Sequence, residues 1–183
     1  MKKIFLTTLI FSVVSCSVPE VPMDSIVERN GIIYQVNSDK PYSGKAILYY
    51  ANGQADVIYT YKKGKIAQAE EYYKNGQLER IETFKNEKQF KIEAFLENGT
   101  PMFKEALDKN GKIIGEEYFY DNGQLDWKWS CEGVIENDIC PYEKYIAHYE
   151  NGQLRYKATY KNGNVVDEEE YNENGKKIDA SNY

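Results

Sequence analysis

Residues 72–84 read YYKNGQLERIETF, and close variants return at 49–61 (YYANGQADVIYTY), 118–129 (YFYDNGQLDWKW) and 148–160 (HYENGQLRYKATY). Taking the glycine of each phrase as origin, the anchors are Gly53, Gly76, Gly99, Gly123, Gly152 and Gly175, at intervals of 23, 23, 24, 29 and 23 residues. A period near 23 describes an array of small units, each of which buries its flank only against its neighbours. Between most anchors lies a second turn signal: Lys63-Gly64, Asn86-Glu87, Asn110-Gly111 and Asn162-Gly163. Each period therefore holds two short strands and two turns.

Asn-Gly is a strong hairpin signal because a two-residue type I′ turn needs positive φ at both central positions, which Asn tolerates and Gly adopts freely. The flanks are rich in Tyr, Ile, Val and Thr, as strands prefer, and no 3.6-residue period is sustained. The expected fold is all-β: an elongated, single-layer antiparallel sheet of stacked β-hairpins, with about twelve strands. In such hairpins the residue three before each glycine lies opposite the residue two after it, which sorts side chains onto faces. One face collects Ala46, Leu48, Val57 and Tyr59 in the first hairpin, Ile92, Ala94 and Phe103 in the third, and Tyr118, Trp127, Trp129 and Cys131 in the fourth. This is the expected apolar face, with Trp127 and Trp129 assigned to the core. The other face carries Asp56, Glu79, Asp126, Lys128, Arg155 and Lys157. There the position four before each glycine repeats a ring, giving a candidate binding ladder of Tyr49, Tyr72, Phe95, Phe119, His148 and Tyr171.

The 29-residue interval marks an insertion, CEGVIENDIC, in place of a tight turn. An export signal and close spacing make Cys131 and Cys140 an expected disulfide, with a redox-active pair as the alternative. Their spacing is not that of a zinc site, and no histidine cluster accompanies it. A long sheet needs protected ends. The candidates are RNGIIYQVNSDKPYSG near the start and the charged tail NENGKKIDASNY.

Residues 1–15, MKKIFLTTLIFSVVS, combine two lysines with a short apolar run, the form of a secretory signal. Val13-Val14-Ser15-Cys16 resembles a bacterial lipobox, which makes Cys16 the expected lipidated first residue; an ordinary signal with Cys16 left free is the alternative. The organisation is then a signal over 1–15, a lipidated start and linker over 16–27, and a repeat domain over 28–183 with six Asn-Gly anchored hairpins. The expected location is the outer membrane or cell surface. The chain has a formal charge of −6 and 17 tyrosines among 183 residues. An acidic chain is a poor partner for nucleic acid, which rewards a basic patch.

The phrase YYxNGQL, the second turn of KNGK type and the segment Lys40-Pro41-Tyr42-Ser43-Gly44 together resemble the MORN-variant repeat family, over residues 28–183. Its bacterial members include exported lipoproteins described as YwqK-family antitoxins. The resemblance implies an extended sheet of hairpins used for contact with proteins or membrane surfaces, and not for catalysis. The sequence departs from the repeat at Thr100-Pro101, where Gln-Leu is usual, and at the cysteine insertion.

No phosphate-binding glycine loop is present, and neither a cofactor nor a metal is expected. His148, the single histidine, occupies a ladder position and reads as a structural substitute; the alternative is a ligand or base. Glu70-Glu71, Glu116-Glu117 and Glu168-Glu169-Glu170 recur at one repeat position, which fits solvated strand edges better than acid/base catalysis. Ser43 and Ser130 have no histidine placed beside them by a known motif. The expected function is a non-enzymatic, membrane-anchored monomer contacting a protein or envelope polymer. Neutralisation of a cognate toxin is the alternative, and glycan processing by the glutamate pairs is a third.

Overall fold

The structure is a computed structural model that describes residues 18–132, 140 and 142–178. The expected signal over residues 1–15 and the expected lipidation site Cys16 lie outside the described residues. The strands are β1 (Glu20–Pro22), β2 (Ile26–Arg29), β3 (Ile32–Gln35), β4 (Gly44–Tyr49), β5 (Ala55–Lys62), β6 (Lys65–Tyr72) and β7 (Leu78–Lys85). They continue as β8 (Lys88–Phe95), β9 (Pro101–Leu107), β10 (Ile113–Phe119), β11 (Leu125–Glu132), β12 (Tyr142–His148), β13 (Leu154–Lys161) and β14 (Asn164–Glu170). One 3-10 turn, Met23–Ser25, follows β1. Strands β4 to β14 pair consecutively and antiparallel, β1 adds in parallel to β4, and β2–β3 forms a separate hairpin. A 12-stranded sheet at about 4.8 Å per strand extends roughly 50 Å. The single-layer array expected from the repeat is the observed fold.

The anchor turns differ from the expected type. Type I′ needs positive φ at Asn as well as Gly, yet at every anchor only the glycine is left-handed, with φ between 76° and 85°. In the second repeat the Gly76 N–H donates to Tyr73 O at 2.8 Å and the Tyr73 N–H to Gln77 O at 2.9 Å, enclosing a three-residue turn. Asn75 Oδ1 accepts the Gln77 N–H at 2.8 Å, a side-chain bond that holds Asn75 out of the left-handed region. Both φ are positive instead at the second turns Lys63-Gly64, Asn86-Glu87 and Asn162-Gly163, and at Asn30-Gly31 between β2 and β3. Asn110-Gly111 instead follows the anchor pattern.

The strand register nonetheless matches expectation, because a bulge restores it. Beyond each anchor turn one residue bulges out, so that Tyr72 faces Leu78 but Glu71 faces Arg80. The same shift occurs at the four other anchor hairpins of the sheet. Second turns carry bulges too, and a bulged residue has no cross-strand partner. Phe90, Met102 and Val166, three of the exposed large apolar side chains, sit at such bulges.

Adjacent hairpins are also tied laterally. The second aromatic of the phrase donates its hydroxyl to the ladder-position carbonyl of the next repeat: Tyr50 to Tyr72 O, Tyr73 to Phe95 O, Tyr120 to His148 O and Tyr149 to Tyr171 O, at 2.6–2.9 Å. Asn75, Asn122 and Asn151 donate from Nδ2 to Glu97 O, Glu150 O and Glu173 O of the following turn. The third repeat has Leu96 in the tyrosine's place and lacks the hydroxyl bond.

Packing in one layer depends on alternation of size across strands. Ala46, Ala69, Ala94, Ala147 and Ala158 are buried, and each lies directly opposite a ring: Tyr59 for the first two, then Phe103, Trp127 with Tyr156, and Tyr145. A flat ring covering a methyl group removes apolar surface from water without a second layer. Trp127 and Trp129, expected in a core, are only half-buried, because among the described residues nothing is stacked above that part of the sheet.

The start of the array is closed. Tyr42 is 6 % exposed and packs with Ala46 and Tyr61 against Val21, Met23, Ile26 and Ile33. Its hydroxyl donates to Lys45 O at 2.8 Å. A Cβ on Gly44 would stand 2.5 Å from that hydroxyl, so the Tyr42-Ser43-Gly44 segment admits no larger residue there. The β2–β3 hairpin docks through the Ile33 N–H to Gly64 O at 2.9 Å. At the far end, Ile178 donates to Glu170 O and Tyr171 bridges Lys177, so the tail folds back on the end of β14. Cys131 and Cys140 are disulfide-bonded across the insertion.

Two measurements test these contributions. Tyr73→Phe and Tyr149→Phe should each lower unfolding free energy by about 1 kcal/mol in urea titrations. Replacing both cysteines with alanine should cost roughly 2–3 kcal/mol, as expected for opening a loop of this length.

Candidate interaction surface

Followed through both kinds of turn, the register places two rows of side chains across each face of the sheet. On one face a row runs Ala94, Phe103, Tyr118, Trp127, Ala147, Tyr156 from β8 to β13. Its rings, joined by Tyr145 of the adjacent row, are in contact: Phe103 to Tyr118 at 5.7 Å between centroids, Tyr118 to Trp127 at 4.5 Å, Trp127 to Tyr145 at 6.3 Å and, tilted by 55°, Tyr145 to Tyr156 at 6.0 Å. The first three contacts are within 26° of parallel. Five half-buried rings from five consecutive strands thus form one continuous strip.

Carboxylates border the strip. Glu105 and Glu116 lie directly opposite each other across β9 and β10. Glu116 accepts the Trp129 Nε1–H at 2.6 Å, and Glu168 accepts the Tyr156 hydroxyl at 2.6 Å. That bond, followed by burial, pushes the Tyr156 phenol pKa up. An open depression of about 550 Å³ at this part of the sheet is lined by residues of both faces, among them Glu105, Glu116 and Trp129 with Lys91, Lys104 and Glu117.

The other face is one of matched charges. Lys91 and Lys104 both reach Glu93, at 2.6 and 3.8 Å, and Lys157 and Lys177 both reach Glu169, at 2.6 and 3.0 Å. Glu169 also accepts the Tyr171 hydroxyl. Lys157 first, then Tyr171 and Lys177, hold its carboxyl down to about 2.

The candidate ladder lies on this charged face, as expected, but its members do not touch. Tyr49, Tyr72, Phe95, Phe119, His148 and Tyr171 come from every second strand, so consecutive rungs stand roughly 9–10 Å apart. Among the described residues no ring contact joins two of them. Each instead meets its local surroundings. Tyr72 donates to Glu70 at 3.1 Å, with burial and then Glu70 pushing its phenol up to about 12. Lys104 stands over the Phe119 ring at 5.3 Å. His148 keeps Nδ1 buried without a hydrogen-bond partner, and burial, then Lys128, holds its imidazole below the ordinary range.

The glutamate pairs of the sequence separate, since neighbours along a strand point to opposite faces. Glu70, Glu117 and Glu169 lie on the charged face, and Glu71, Glu116 and Glu168 on the aromatic one. The carboxylates that do meet, Glu105 and Glu116, belong to different strands. Ser43 Oγ accepts the Lys63 N–H at 2.8 Å, a turn contact. Among the described residues no group of three or more His, Cys, Asp or Glu is placed to hold a metal ion. The ring strip was missed by reading hairpins one at a time, which leaves Phe103 and Tyr118 in separate units. The signal was the register through the second turns.

Stability should report the Glu169 cluster. A carboxyl whose pKa falls from 4.5 when unfolded to about 2 when folded stabilises the protein fully above the unfolded value, and the effect is lost as pH drops through about 2. Urea unfolding of Glu169→Gln should therefore depend less on pH between about 4.5 and 2 than that of the unaltered chain.

Residues 65–86 and 144–162 match the model of the MORN repeat variant. No curated protein matches the sequence. Solved structures with some likeness include a crystal structure of TarM, 14 % identical, covering 65 % of this chain and 21 % of that one with a TM-score of 0.35. A mutant of S. aureus TarM in complex with Fondaparinux, alpha-GlcNAc-glycerol and UDP gives 14 %, 65 %, 21 % and 0.36. A GtfA/B complex bound to UDP and GlcNAc gives 14 %, 75 %, 24 % and 0.23. The chain spans a quarter or less of those chains, and likenesses this slight carry no argument about function. What the chain carries is a MORN repeat variant at two places, within a sheet built throughout from the same hairpin.

Proposed function

We propose that this protein is a non-enzymatic interaction scaffold, tethered to a membrane by lipid on Cys16, that engages a protein partner through the aromatic face of its sheet. The observation that carries the choice of face is the continuous strip from Phe103 to Tyr156, half-exposed on a sheet with no second layer over it among the described residues. Large, rigid rings with polar tips provide contact area at small entropic cost, and clusters of them mark recognition surfaces. On the opposite face Lys91, Lys104, Lys157 and Lys177 are paired with Glu93 and Glu169, so a partner there would have to break ion pairs before gaining contacts. A flat, repeated surface also fits scaffolding better than turnover, which needs a concave, water-excluding site.

Crosslinking on intact cells tests both halves of this reading. Trp127→Ala with Tyr145→Ala should abolish capture of the partner, whereas Tyr72→Phe with Phe95→Leu on the other face should leave it intact. Loss of capture only in the second pair would overturn the assignment of the face. For the tether, metabolic labelling with a fatty acid should mark the unaltered chain and not Cys16→Ala; equal labelling removes the tether. If the captured species is a single stoichiometric toxin, neutralisation replaces general scaffolding as the role.

A further inference from the structure

Resting on that reading of the aromatic face, we infer that its occupant is an extended, lysine- or arginine-rich polypeptide segment. The two faces of one sheet differ in charge as well as in rings. In the two central rows of the aromatic face stand six carboxylates, Glu71, Glu82, Glu105, Glu116, Glu168 and Glu170, and a single cation, Arg80. The corresponding rows of the other face hold five carboxylates and six lysines. In these central rows the excess negative charge is thus concentrated on the side with the ring strip.

Its centre is the Glu105–Glu116 pair, which sets like charges directly opposite each other in the ladder. Such a pair opposes folding, and a cation between the two relieves it. The chain itself shows how this face seats a guanidinium: Arg80 lies opposite Ala94 in the ring-strip row and holds Glu82 Oε1 through Nε at 2.7 Å. Farther along, toward β13, the two rows contain rings and carboxylates but no further cation. A partner's basic side chains complete that pattern.

The rings choose polypeptide over glycan. Phe103, Tyr118 and Trp127 stack on one another, so their ring faces are shared with neighbouring rings. A sugar ring stacks its C–H face on an open aromatic face, whereas the methylene stems of Lys and Arg lie well along an apolar strip while their charged heads reach flanking carboxylates.

Binding to the full, disulfide-bonded chain, followed by tryptophan fluorescence, tests the inference with three probes: a twelve-residue Lys-Val alternating peptide, its Glu-Val counterpart and a neutral chitotetraose. The Lys-Val peptide should bind, weaken at least tenfold in Glu105→Gln with Glu116→Gln, and weaken steeply from 50 to 500 mM salt. A charge-matched pair on the other face, Glu93→Gln with Glu117→Gln, should leave its affinity within about twofold, and thermal unfolding of both variants confirms the fold. Equal loss in the two variant pairs, or binding of the Glu-Val peptide or chitotetraose in place of Lys-Val, overturns the basic occupant. If Trp127→Ala with Tyr145→Ala abolishes capture in cells while the Lys-Val peptide fails to bind, the occupant is wrong and the face stands. If that variant leaves capture intact, both readings fall.

Discussion

Every other property of this array depends on how one hairpin is tied to the next. Backbone ladders join neighbouring strands throughout, but a ladder alone leaves a thin sheet free to slide and twist. The hydroxyl of Tyr73 reaching Phe95 O, and its counterparts from Tyr50, Tyr120 and Tyr149, add a side-chain bond between one anchor turn and the next strand end. Asn75, Asn122 and Asn151 add a second bond at the turn tips. Each is worth only about 1 kcal/mol, yet in a nearest-neighbour array such increments add along the chain. The phrase YYxNGQ is thus largely a folding instruction: glycine permits the left-handed turn residue, Asn fixes the turn, and the second Tyr joins the repeats.

Because that work is done near the turns, the middle of each strand is free to carry a surface. A single layer has two faces and no interior, so burial comes from rings lying over alanines in the next strand. The same rings that stabilise the sheet are therefore also the ones it leaves half-exposed, and the strip from Phe103 to Tyr156 is continuous where a merely stabilising pattern needs only isolated ring–alanine pairs.

Much of the fold was legible in the spacing of six glycines, and the pairing within hairpins was legible in the alternation around them. The turn type was not. Asn-Gly favours a two-residue turn in isolation, but the Asn75 side chain finds the Gln77 N–H and the loop takes in one more residue, after which a bulge at Glu79 returns the strands to register. Two deviations cancelled, so the face assignments held although the local geometry differed. The core assignment of Trp127 and Trp129 failed for another reason: apolar alternation shows that a face is shared, and says nothing about whether a second layer covers it. The candidate ladder was placed on the correct face, but strand counting puts its rungs too far apart to stack.

By itself, then, the sequence determined the period, the strands, the pairing within each hairpin and the closeness of Cys131 to Cys140, because these follow from local turn chemistry and an alternation of period two. Only the tertiary structure decided which side chains of different repeats meet. That the Phe103 ring lies against Tyr118, that Glu105 faces Glu116, and that Glu116 and Glu117 part to opposite faces all depend on register carried through a second turn and its bulge. One residue more or less at that turn exchanges the two faces of every strand beyond it. The surface is a sum of such registers, and no single repeat contains it.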